Sequence, residues 1–136
     1  REVVKIREKD ESGTMDTCSA LDLLGLILDA RAKYVEAVKT FERALKMSRE
    51  TRKAHVEKRV LCHMVSALWN VGREDEVIQR LREHVKLCRE LFGPHNAMLA
   101  QPMKELARYM LAKNVKVQKI TLFVFYHIFN FLCLGL

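Results

Sequence analysis

Proline and glycine are scarce in this 136-residue chain, with two of the first and five of the second. A loop-rich or all-β fold needs more of both at its turns, so that class is excluded. The four cysteines, Cys18, Cys62, Cys88 and Cys133, form no C-x-x-C pair, and none stands at metal-ligand spacing from a histidine. No zinc site is expected, and the cysteines read as reduced thiols packed as small hydrophobes in a cytoplasmic protein. There is no Gly-rich phosphate loop, no G-x-S-x-G and no H-E-x-x-H. Asp16, Asp22 and Asp29 are acidic, but no element places a matching acid or base against them. The expectation is a protein that is not an enzyme and takes no cofactor. No secretory signal opens the chain, which starts on Arg1 and reads as a piece of something longer.

What is present is helical. Hydrophobic residues make up 49% of the chain, ample for one domain's core, and charges are plentiful between them. The net charge of +7 is spread out: Arg80, Arg82, Lys86 and Arg89 share a helix with Glu83 and Glu90. Such interleaving marks a solvated face with i,i+4 pairing, so nucleic acid is not the expected partner.

The organising stretch is Leu21 to Met47. Leu21, Leu24 and Leu28 recur at helical spacing with Gly25 among them, and Ala37, Phe41 and Ala44 form a second stripe. Small residues let two helices approach, and the spacing sets Gly25 against Ala37 and Phe41. Sequence echoes follow at a period near 40 residues: Leu24-Gly25 returns as Met64-Val65 and again as Leu106-Ala107. Lys46-Met47-Ser48-Arg49-Glu50 returns as Lys86-Leu87-Cys88-Arg89-Glu90. One helical hairpin per period implies a stacked solenoid.

Leu24-Gly25, Tyr34, Ala37, Phe41 and Ala44 resemble the tetratricopeptide repeat. The long period and Arg89-Glu90-Leu91-Phe92-Gly93-Pro94-His95 resemble the long-repeat type found in kinesin light chains. The resemblance implies an all-α solenoid of stacked antiparallel helical hairpins that acts as a protein-binding scaffold or adaptor. On it, residues 1–13 are the end of a preceding repeat, 14–114 the helical repeats, and 115–136 a hydrophobic C-terminal segment. Helices are expected over about 15–32, 34–50, 53–71 and 74–92, and from past Pro94 to about Ala112. Thr51 is the expected N-cap of the third. Val77 and His84 stand where small residues are expected, so His84 is either a packed core histidine or a sign of wider helix spacing. Pro102 either kinks the last helix or lies in its first turn.

In such a solenoid the first helix of each hairpin lines a concave groove. Helical phase puts Asp22, Leu26 and Asp29 there from the first repeat, and Arg59, Cys62, His63, Ser66 and Trp69 from the second. The third adds Gln101, Lys104, Glu105 and Arg108. Asp22, Arg59, His63, Trp69, Lys104 and Arg108 are the candidate partner-binding residues, with Trp69 and Arg59 as anchors and a peptide or helix as ligand. The class that grips chaperone tails uses Lys and Asn where this chain has Asp22, Leu26 and His63, and Lys and Arg where it has Gln101 and Glu105, so that role is not expected.

The last stretch, Ile120 to Leu136, holds five of the ten aromatics and no Asp, Glu, Lys or Arg. Three readings stay open: a distorted closing helix, an end not native to the domain, or a C-terminal membrane anchor flanked by Lys113, Lys116 and Lys119. His127 and Asn130 count against the anchor. Each reading leaves apolar surface to cover, so self-association or membrane association is expected to come through this segment.

Overall fold

The computed structural model describes residues 14–134. Among these residues five α-helices follow one another: α1 (Thr14–Ala30), α2 (Tyr34–Glu50), α3 (Ala54–Val71), α4 (Glu74–Phe92) and α5 (Ala100–Leu134), with a 3-10 turn at Ala97–Leu99 before the last. Each packs on the next, and α1 also packs on α3. This is an all-α stack of helical hairpins. The expected preceding helix, within residues 1–13, lies outside the described residues.

Three of the joints are copies of one turn. Ala32, Arg52 and Gly72 all have positive φ, of 59°, 53° and 89°, at intervals of twenty residues. At each, the following amide reaches back five residues: Lys33 to the Leu28 carbonyl at 2.9 Å, Lys53 to Ser48 at 2.9 Å and Arg73 to Leu68 at 3.1 Å. These left-handed caps satisfy carbonyls that the helix ends would otherwise leave open. Thr51 belongs to this cap and not to the start of α3: its hydroxyl donates to the Met47 carbonyl at 2.8 Å, and Lys53 occupies the N-cap position. Two helix-plus-turn units of twenty residues make the period of 40.

The buried face repeats with the same period. In α2 it is Ala37, Val38, Phe41, Ala44, Leu45 and Ser48. In α4 it is Val77, Ile78, Leu81, His84, Val85 and Cys88, each forty residues on. Gly25 is seated against Phe41, since a Cβ there would lie 2.5 to 2.8 Å from three atoms of the ring. Arginine–glutamate pairs stitch the outer faces together: Arg49 of α2 bonds Glu57 of α3 at 2.8 Å and Glu83 of α4 at 3.0 Å.

The fourth joint breaks the pattern. Gly93 has φ 84° and ψ 161°, a region open in practice only to glycine, and the chain continues extended to Asn96. The Asn96 side chain then caps the 3-10 turn by accepting from the Met98 amide at 2.9 Å. Pro102 is buried in the first turn of α5, which runs on unbroken. The expected end near Ala112 is not found: α5 runs on as one helix of 35 residues, so the repeat and the apolar tail are a single element.

Candidate functional site: the wedge between α3 and α5

Two crossings between first helices of the hairpins can be compared. At the α1–α3 crossing the helices pack directly. Asp22, only 3% exposed, sits in that seam. Its Oδ2 accepts from Nε of Arg59 at 3.0 Å, and its Oδ1 lies 2.8 Å from Nδ1 of His63. An ionised carboxylate only accepts, so His63 carries its proton on Nδ1. Arg59 also donates from Nη2 to the Ser19 hydroxyl at 3.1 Å. Asp22 thus faces its own arginine and histidine and is not an open acid of the groove.

At the next crossing, among the described residues, α3 and α5 make no close backbone approach. The longer fourth joint holds them apart, and a cleft of about 580 Å³ opens between α3, α4 and the start of α5. His55, Lys58, Arg59, Cys62 and His63 come to it from α3, and His84, Cys88 and Phe92 from α4. Met98, Gln101 and Pro102 close its third side. The lining holds cations and no acid. Lys58 lies 5.1 Å above the Phe92 ring, and the His55 ring is 6.5 Å from it.

His84 lines the inner part of this cleft. It is 7% exposed, and its Nδ1 has no hydrogen-bond partner. Burial, and then the charge of Lys58, hold its pKa below the usual histidine value, so it is neutral at pH 7. It fills the position that Ala44 fills one repeat earlier, where no polar atom needs a partner. Burial raises the Cys88 thiol. Close packing raises the thiol of Cys62, which stands on the rim, and the charge of Glu105 adds to this. Both thiols are protonated and poor nucleophiles at neutral pH.

At its far end the wedge is shut by side chains. Trp69 of α3 meets Tyr109 of α5 edge to face, with centroids 5.1 Å apart, and Lys116 Nζ lies 4.2 Å over the indole. Arg108 donates to Glu105 at 2.7 Å and flanks Tyr109, while Lys104 is exposed. Of the six sequence candidates, Arg59 and His63 therefore line the cleft and Asp22 holds both in place. Trp69 closes the wedge, and Lys104 and Arg108 are outside the lining. Lys58, Phe92 and Met98 were not singled out by sequence reasoning. The signal for Phe92 was its place next to Gly93, where a helix ends against a loop.

No helix among the described residues is long and apolar enough to cross a membrane. No group of histidine, cysteine and carboxylate side chains among the described residues is arranged to hold a metal ion. The chain matches no family model, no curated protein and no solved structure.

Proposed function

We propose that this chain is a protein–protein interaction module, a scaffold or adaptor of tetratricopeptide type that docks a peptide or helix in its groove. The observation that carries the reading is the open wedge between α3 and α5, beside a crossing of the same kind that is tightly closed. A cleft with apolar walls and a few convergent polar groups is the usual form of a docking site. Here Phe92, Met98 and Pro102 supply apolar wall, and Lys58 and the unpaired His84 supply polar contacts. The three identical turns and the forty-residue repeat of the buried face support the tetratricopeptide-like assignment. Cys18, Cys62 and Cys88 are free thiols, which suits a reducing, cytoplasmic setting.

The test is selection of displayed random peptides against the chain. Binders that seat in the wedge shield Cys62 from alkylation and lose affinity on Met98→Asp. Failure of any peptide to enrich over bare support, or binders that leave the slow alkylation rate of Cys62 unchanged, would reject this site.

A further inference from the structure

The charge of the wedge is not balanced within it. Lys58 stands over the Phe92 ring at 5.1 Å, and its charge is felt by His84, Cys62 and Cys88 on the cleft's walls. It is half-buried and makes no ion pair among the described residues, and no acid lines the cleft. Cations that cross between helices elsewhere each meet an acid: Arg49 meets Glu57 and Glu83, Arg73 meets Glu42, and Lys116 meets Glu74. Resting on the docking role of the wedge, we propose that its peptide or helix ligand brings the missing charge, an aspartate or glutamate side chain whose carboxylate pairs with Lys58.

The neighbours of Lys58 leave that place open. Two acids carry charge as far as Cys62 at the rim, Glu105 and Asp22, and both are engaged. Asp22 holds Arg59 and His63, and Glu105 accepts from Arg108 and Gln101. The first turns of α2, α3 and α4 carry acids of their own, Glu36, Glu57 and the run from Glu74 to Glu76. The first turn of α5, whose Gln101 and Pro102 line the cleft, carries none. The positive end of its peptide dipoles therefore adds to the field of Lys58. His84 gives an independent sign of a ligand. It is 7% exposed on the inner wall with Nδ1 unpaired, a rare condition for a side chain that only packs.

The arrangement suits a carboxylate better than a phosphate. A phosphate dianion is held best by an arginine fork. The Arg59 fork is already spent, with Nε on Asp22 at 3.0 Å and Nη2 on Ser19 at 3.1 Å. What remains is one ammonium beside an uncharged imidazole, which matches a single negative charge.

Random displayed peptides selected in parallel against the whole wild-type chain and against Lys58→Met test this, with far-UV circular dichroism to confirm that the variant keeps its helices. Among wild-type binders that shield Cys62, Asp or Glu should recur at one position, and selection on Lys58→Met should lose that preference. A synthetic binder should weaken about tenfold or more when its acid becomes the amide, or when Lys58 becomes Met. The two changes together should weaken it little further. Lys58→Arg should stay within several-fold of wild type. Shielding binders that show no acid preference, or that are indifferent to Lys58→Met, overturn the proposal and leave the docking groove standing. The absence of any shielding binder removes both. Displacement of the synthetic binder by inorganic phosphate, at concentrations where acetate has no effect, overturns the carboxylate in favour of a phosphorylated ligand.

Discussion

The Asp22 carboxylate lies 2.8 Å from Nδ1 of His63, forty-one residues further along the chain. With Arg59 on its other oxygen, it closes the α1–α3 crossing by a polar contact that no local pattern announces. The α3–α5 crossing meets instead through Trp69 and Tyr109 at one end and is open beside α4. The same kind of crossing therefore occurs twice, once sealed by ions and once with a cleft beside it.

Asp22→Asn keeps the shape and removes the charge. Arg59 is 44% exposed at its side chain and His63 29%, so water recovers part of the loss. The expected cost is about 1–3 kcal/mol, read as a lower urea midpoint with an unchanged slope. Arg59→Gln alone should cost less than Asp22→Asn, because the acid is the buried member. An Asp22→Asn variant as stable as wild type would show that the seam does not depend on this contact.

Gly25→Ala should destabilise the stack although alanine is the better helix former. The added carbon would sit 2.5 Å from Phe41, and the ring has no room to withdraw because it is fully buried. Overpacking of about 1–3 kcal/mol outweighs a propensity gain of about 1 kcal/mol. Pairing Gly25→Ala with Phe41→Leu should recover part of the loss in a double-mutant cycle; strict additivity would argue against direct contact.

Ala32 and Arg52 hold the left-handed conformation that Gly72 holds at the third joint. A side chain there costs on the order of 1 kcal/mol. Ala32→Gly and Arg52→Gly are each expected to raise thermal stability, by about 0.5–1 kcal/mol after the entropy of the unfolded glycine is counted. Gly72→Ala is expected to lower it. Calorimetry on the three variants reads all of these signs.

His84 is held below its ordinary pKa of 6.5 by burial, with Lys58 adding to the effect. The unfolded chain therefore takes up a proton at this residue before the folded chain does. The contribution is intact above about pH 6.5 and is lost as the pH falls from there towards the folded value. His84→Phe removes it. The melting temperature of wild type relative to His84→Phe should decline between pH 7.5 and 5.5, and parallel curves would mean that His84 titrates normally.

Much of this architecture is written in local pattern. The alternation of apolar and charged residues gives α2 and α4 their bounds, because amphipathic periodicity and the turn residues act over one helix at a time. Gly25 and Phe41 find each other for the same reason: a short turn leaves adjacent helices one way to pack. Tertiary structure decided the rest. Thr51 has the chemistry of a helix start, yet the chain uses it to finish α2, since the twenty-residue joint needs its cap there. Asp22, Arg59 and His63 share a groove phase in the sequence, but only stacking shows that they neutralise one another. Nothing local ends α5 near Ala112, and the helix continues because its apolar tail carries neither proline nor glycine before Gly135. The wedge comes from one glycine-dependent joint being longer than the other three, a difference whose effect is felt between helices that are not neighbours in the chain.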